Sequence, residues 1–365
     1  MLPDFLIIGA GAVGLASALE LARRGARVTV LDRFRAGAES TWAGGGILSP
    51  LLPWQYGDEV NTLSEYSRAN FADWCARLQA MSGLDAEYRT SGMLVLPPYS
   101  EAQAFDWCAR HGWRCEKRGQ SDFLPTSSMD GEEALWLPDV AQARNPRLVQ
   151  VLRAAALAAG IRIVESAEVT GLISAQGRVT GVMSTQGEFA ASGVVVSAGA
   201  WTGTVPGLEA LAETVFPVRG QMLLFKLQPE ALRTIVLQDG RYLIPRIDGH
   251  VLVGSTLERV GFEKSTTESV KRDLLAFSAS VLPALSELVM VHHWSGLRPG
   301  SHDNVPVIAR YPGYDNLFIN SGHFRYGVTM APGSALLLAD LIEGKSPAIS
   351  AAPYAQAMTG LFASL

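Results

Sequence analysis

Gly9, Gly11 and Gly14 stand in the spacing G-x-G-x-x-G, and an acid, Asp32, follows about 20 residues on. In such a motif the first glycine permits a tight turn and the second lets backbone N–H groups approach a pyrophosphate. The third lets a helix pack close against its strand. A helix opening at Ala12 and Val13 would set roughly half a positive charge beneath a diphosphate. The Asp32 carboxylate would accept hydrogen bonds from an adenosine ribose and repel a 2′-phosphate, a repulsion that Arg33 softens. The spacing predicts an ADP-containing dinucleotide, and FAD and NAD both fit it. A second glycine segment, Ser40-Thr-Trp-Ala-Gly-Gly-Gly46, lies just beyond the acid. Its backbone donors could reach a phosphate or a flavin ring; a flexible loop is the other reading.

The elements that must position these residues are legible around them. Phe5–Ile8 is a continuous apolar run, as in a strand buried on both faces, and Val13 to Arg24 has helical spacing and stops at Gly25. Arg27–Leu31 is a second strand with Asp32 at its end, which completes one β-α-β unit. Further on, the sequence predicts a long amphipathic helix over 60–81 and another capped by Asn145-Pro146 and running to Gly160. A small meander over 161–197 turns at Gln176-Gly177 and Gln186-Gly187, and strands follow over 215–257 with turns at Asp239-Gly240 and Asp248-Gly249. A helix near 266–282, strands near 290, 305 and 317, and a final helix over 333–341 close the chain.

With 365 residues, at about 150 per domain, two domains are expected. Apolar residues at 48% supply a sizeable core, and a net charge of -5 argues against a general nucleic-acid or polybasic membrane-surface binder. Cys75, Cys108 and Cys115 cannot form a disulfide framework, so a reducing compartment fits. The apolar stretch Phe5–Leu19 follows Asp4 and lacks a basic flank, so a cytoplasmic protein is expected.

Gly9-Ala-Gly-Ala-Val-Gly14, Asp32, the segment Ser40–Pro50, Arg241-Tyr-Leu-Ile-Pro-Arg246, Gly296-Leu-Arg-Pro-Gly300 and Gly322-His-Phe-Arg-Tyr-Gly327 occur in that order. Together they resemble the FAD-dependent D-amino-acid oxidase superfamily and, within it, the glycine oxidases of thiamine biosynthesis. The resemblance covers essentially the whole chain. It implies an α/β fold: a Rossmann-like FAD-binding domain with a second, mainly antiparallel α+β substrate domain. The FAD-binding domain would be discontinuous (1–84, 142–212 and 298–365), and the substrate domain would comprise 85–141 and 213–297. FAD contacts would fall on the glycine motif, Ala12, Val13, Asp32, Arg33, Ser40, Thr41, Gly45, Gly46, Ile47, Val169 and the loop His323, Phe324, Arg325, Tyr326, Gly327, Val328 and Thr329. Substrate contacts would be Tyr242, Arg298 and Arg325. No cysteine lies late in the chain, which favours non-covalent FAD. Leu257 and Ser49 fall where relatives vary and leave substrate size open. A homotetramer is also implied.

Those residue types suit oxidation of an amino acid at its α-carbon. FAD supplies the hydride acceptor, and a guanidinium such as Arg298 can fix a carboxylate through two parallel hydrogen bonds. Tyr242 could add a hydroxyl to the same carboxylate. The expected reaction turns glycine, sarcosine and other small amines into an imine and then an oxo acid, while oxygen becomes hydrogen peroxide. Its rivals are a D-amino-acid or sarcosine dehydrogenase passing electrons to a quinone, and a non-catalytic FAD- or NAD-binding subunit. Cys108, His111 and Cys115 have a passing likeness to a metal cluster, but three local ligands at a helix end make a poor site and no metal is expected.

Overall fold

The computed structural model describes residues 3–124 and 133–361. Residues 1–2 and 362–365, assigned above to the FAD-binding ranges, and 125–132 of the other range lie outside the described residues.

A six-stranded sheet runs in the spatial order Val307–Arg310, Leu317–Ser321, Gly193–Val196, Phe5–Ile8, Val28–Leu31, Arg162–Val164. It is parallel apart from its first pair. The continuous apolar runs have a simple cause, because alternate side chains enter two different cores. Ile7, Val30 and Val195 face the helices Ala12–Arg23, Asp58–Ser82, Asn145–Ala158 and Gly327–Glu343. Leu6, Ile8, Leu31, Val194 and Val196 face the three-stranded meander Val169–Ala175, Arg178–Ser184, Gly187–Ala190. Burial of both faces leaves no polar side to the strand.

A second, eight-stranded sheet has the order His292–Ser301, Val215–Lys226, His250–Gly254, Arg241–Pro245, Ile235–Gln238, Met93–Val95, Glu133–Leu137, Glu116–Gly119. It is antiparallel except where Ile235–Gln238 meets Met93–Val95. One face packs Leu223, Val236, Leu243 and Val253 against the helix Glu268–Val281. The other packs Tyr242, Ile244 and Leu252 with Ile47 and Leu51 of the glycine-rich segment and with Trp107. The second sheet is thereby brought against the cofactor motif of the first. The observed architecture is the α/β fold with a Rossmann-like unit and a mainly antiparallel second unit.

Three local expectations differ. The meander expected over 161–197 is confined to Val169–Ala190, because Arg162–Val164 and Gly193–Val196 pair into the six-stranded sheet. Asn145 does not cap its helix: Arg144 is the N-cap, Asn145 and Pro146 are its first residues, and Asn145 Nδ2 donates to the Thr41 carbonyl at 2.6 Å. That tertiary bond competes successfully with the cap. The helix expected to begin at Gly333 begins at Gly327, carries Pro332 inside it, and is followed by a further helix, Ala352–Leu361. A short turn, Phe324–Tyr326, leads into its first residue, so the helix does not need Pro332 at its start.

Candidate active site

The strand Phe5–Ile8 delivers the chain to Gly9, whose φ of 105° and close backbone both require glycine; a β-carbon there would lie 2.3 Å from the Ser197 carbonyl oxygen. At Gly14 a β-carbon would lie 1.9 Å from the Gly9 carbonyl oxygen, so this glycine sets how closely helix and strand pack. Gly11 is the extended N-cap of the helix Ala12–Arg23 and provides no side-chain cap of its own. Ala12 N donates to Thr41 Oγ1 at 2.9 Å, which ties the first glycine motif to the second.

Asp32 accepts Ala10 N on one carboxylate oxygen at 2.7 Å and Phe34 N on the other at 2.8 Å. Burial pushes its carboxyl up from the ordinary value, and those two backbone bonds oppose the shift. Arg33 pairs with Glu168 at 3.2 Å and lies over the rings of Phe34 and Trp201.

Two adjoining lobes of a cavity share Gly11, Ser40, Thr41, Ser197 and Gly199 in their walls. The shared walls make them one continuous cavity. Gly9, Asp32, Arg33 and Val169 line one lobe. Ala12, Val13, Gly45, Gly46 and Ile47 line the other, together with Tyr242, Arg298 and the loop His323–Val328. Gly14 and Thr329 stand outside both walls: Gly14 packs against Gly9, and Thr329 Oγ1 donates to the Ile47 carbonyl at 3.1 Å.

Arg298 and Tyr242 meet at the second lobe. Arg298 Nη1 donates to the Thr256 carbonyl at 3.0 Å and Nη2 to Ser255 Oγ at 2.8 Å. Burial pulls the guanidinium down from its ordinary value, and Tyr242, within hydrogen-bonding reach, opposes that. It stays charged, because arginine does not lose its proton in proteins. Two of its five N–H groups are thus used and Tyr242 is in reach of another, which leaves two more to offer. Arg325 sits on the same wall with Nη2 donating to the Gly240 carbonyl at 3.2 Å. Its neighbour Phe324 holds a left-handed φ of 45°, an uncommon strain for a bulky residue that turns this loop along the cavity.

His323 is buried, and burial pulls its imidazole down to about 3, so the ring is neutral. Ser334 Oγ gives its proton to the Met330 carbonyl at 2.8 Å, so it must accept from His323 Nε2 at 2.8 Å. The proton therefore resides on Nε2 and the acceptor is Nδ1.

Asn145, Asn320 and Ser197 reach the cavity with no motif that would have revealed them there. Asn145 Oδ1, Asn320 Oδ1, Ser197 Oγ and Arg33 Nε are buried polar atoms with no hydrogen-bond partner. Each belongs to a residue lining one of the lobes. Arg246 is 4% exposed; Nη2 donates to the Gly45 carbonyl at 2.7 Å and Nη1 to Gln142 Oε1 at 2.6 Å. It shapes the glycine segment from behind. Away from the cavity, Cys108 and Cys115 hydrogen-bond to one another, and the His111 ring stacks on Trp107 at 4.2 Å. Among the described residues no group of three potential ligands gathers for a metal, and no helix is long and apolar enough to cross a membrane.

The glycine cradles, the helix N-terminus at Ala12 and the orphaned polar atoms fit a flavin dinucleotide. Comparison with known proteins agrees. The family described as FAD dependent oxidoreductase (DAO) matches residues 4–341. A glycine oxidase of Pseudomonas putida is 42% identical over 97% of this chain and 98% of its own. The bifunctional ThiO/ThiG protein of a Synechocystis species is 34% identical over 95% of this chain and 53% of its own length. The crystal structure of glycine oxidase from Geobacillus kaustophilus superimposes with a TM-score of 0.89 at 27% identity, over 96% of this chain and 97% of that one.

Proposed function

Because this chain belongs to the DAO family of FAD-dependent oxidoreductases, we propose that it is a glycine oxidase. The cofactor is FAD. The observation that carries the substrate reading is the Arg298–Tyr242 pair in the lobe that the glycine segment also lines, a fixed cation beside a hydroxyl.

In this reading FAD lies non-covalently along the two lobes. Gly9, Gly11, Ala12 and Val13 hold its diphosphate, with Ser40 and Thr41 beside them. Asp32, Arg33 and Val169 take its adenosine end, and Gly45–Ile47 with the loop His323–Thr329 enclose its ring. When bound, FAD supplies the acceptor for the hydride that leaves the substrate α-carbon. Arg298 uses its free N–H groups to fix the substrate carboxylate, and Tyr242 adds a hydroxyl. Arg325 raises the positive potential on the same wall. A doubly held carboxylate leaves the amino acid one orientation, and orientation alone can lower a barrier by several kcal/mol. No protein acid or base is required if the amine enters unprotonated. The balance is glycine, oxygen and water to glyoxylate, ammonia and hydrogen peroxide; sarcosine, small N-alkylglycines and small D-amino acids would react alike.

The family's ThiO/ThiG members suggest the use of the imine, as a precursor for the thiazole of thiamine. We further propose a cytoplasmic homotetramer and keep the two-domain division given above; Arg298 lies just beyond its 297/298 border, on a strand that runs unbroken to Ser301. Anaerobic mixing of the FAD-loaded protein with glycine, sarcosine, N-ethylglycine and D-alanine tests the reading. Bleaching of the flavin by these amines is expected, and no bleaching by any of them would indicate a non-catalytic flavoprotein.

A further inference from the structure

Arg298 does not fix its own direction. Beneath its guanidinium lies Gly220, which has no side chain to support it. The two oxygens to which it donates on its far side, Thr256 O and Ser255 Oγ, belong to the loop 255–267, which joins the strand His250–Gly254 to the helix Glu268–Val281. That loop is held from within by one carboxylate. Glu258 accepts Thr256 Oγ1 on Oε1 at 2.5 Å and Arg219 Nη2 on Oε2 at 2.6 Å. Gln221 Nε2 donates to the same two oxygens at 3.0 and 3.2 Å. The backbones of Glu258 and Arg219 exchange two N–H···O bonds of 2.9 Å, and Gln221 N donates to Thr256 Oγ1 at 3.0 Å. Arg219 is 5% exposed, and its Nη1 reaches on to the Ser265 carbonyl at 2.9 Å. Burial pushes the Glu258 carboxyl up, but the bonds from Arg219, Thr256 and Gln221 hold it below the ordinary range, so it stays ionised.

The contacts form one chain: Arg219 and Gln221 hold Glu258, Glu258 holds Thr256, and the Thr256 carbonyl takes a proton of Arg298. Glu258 itself lines neither lobe. We propose that Glu258 is a positioning residue for the carboxylate anchor: it fixes Ser255 and Thr256 so that Arg298 presents its free N–H groups to the substrate. The proposal rests on the reading of Arg298 as that anchor. Removing the carboxylate frees the Thr256 hydroxyl and leaves the buried Arg219 without its ion partner, so the loop oxygens shift and Arg298 turns with them.

The test uses FAD-loaded Glu258→Ala, Glu258→Gln and Thr256→Val, with glycine turnover and with acetate as a carboxylate probe read by the flavin spectrum. In Glu258→Ala, KM for glycine and Kd for acetate should both rise by about tenfold or more, with kcat and FAD retention changed less than about threefold. Glu258→Gln keeps an acceptor for Thr256 and Arg219 and should recover most of the loss, while Thr256→Val should reproduce part of it. If Glu258→Ala does not fold, the other two variants decide. Unchanged KM and acetate affinity beside a lowered melting temperature would reduce Glu258 to scaffolding and overturn the proposal. So would wild-type protein that binds no acetate. Acetate binding that weakens in the variants, in a protein that does not oxidise glycine, would sustain the proposal and defeat the glycine-oxidase reading.

Discussion

Gly220 and Arg298 lie diagonally across two antiparallel strands, and a β-carbon on Gly220 would come within 2.1 Å of Arg298 Nη1. Arg298 is paired with Val218, so the long side chain folds over the next position on the same face. Gly220→Ala therefore displaces a guanidinium and no backbone. The fold should survive with a melting temperature lowered by only a few degrees, while KM for glycine rises about tenfold. Melting curves read beside steady-state kinetics check this; an unchanged KM would mean that Arg298 need not lie where it does.

Removing the anchor itself is the harsher test. Arg298→Ala should lower kcat/KM by about 100-fold, the worth of charged hydrogen bonds to one carboxylate, and Tyr242→Phe by about tenfold. The visible flavin spectrum should be that of the wild type in both. Kinetics left intact in Arg298→Ala would pass the carboxylate role to Arg325.

The glycine motif separates cofactor from fold. At Gly14 the added methyl meets backbone at 1.9 Å, whereas at Gly11 its nearest neighbour is Thr41 Oγ1 at 3.3 Å. Gly14→Ala should give little soluble protein. Gly11→Ala should fold yet purify with most of its FAD missing, because the methyl occupies the approach to the diphosphate. Absorbance ratios at the flavin and protein bands distinguish the two.

Acid stability should depend on His323. Its folded imidazole titrates at about 3, well below the ordinary value of 6.5. As pH falls from about 6.5 toward 3, the unfolded chain takes up a proton that the folded protein refuses, so stability is lost in that window. Between pH 6 and pH 4 this group alone should cost about 2 kcal/mol. His323→Gln, which keeps a donor for Ser334, should show an acid slope shallower by that amount in urea titrations; identical slopes would assign acid lability elsewhere.

Much of this was legible in the chain, for identifiable reasons. Phe5–Ile8 read as a doubly buried strand because both of its faces really are buried. The tight turn at Gly9 and the close packing at Gly14 were legible because their spacing is local. The helix expected from 333 starts earlier, since a turn at Phe324–Tyr326 seeds it from outside its own pattern. Asn145 read as a cap because its partner, Thr41, is 104 residues away. The support of Arg298 was hidden for the same reason: Glu258 meets Arg219 and Gln221 across 39 and 37 residues, with no period to reveal it.

In the proposed reaction glycine is oxidised with oxygen as the final acceptor. Aerobic turnover of the FAD-loaded protein with glycine, with peroxide and glyoxylate measured together, tests it most directly. Equal amounts of the two products are expected. Dye or quinone reduction by glycine without peroxide would make the protein a dehydrogenase and contradict the oxidase assignment, and no glyoxylate at all would contradict glycine as the substrate.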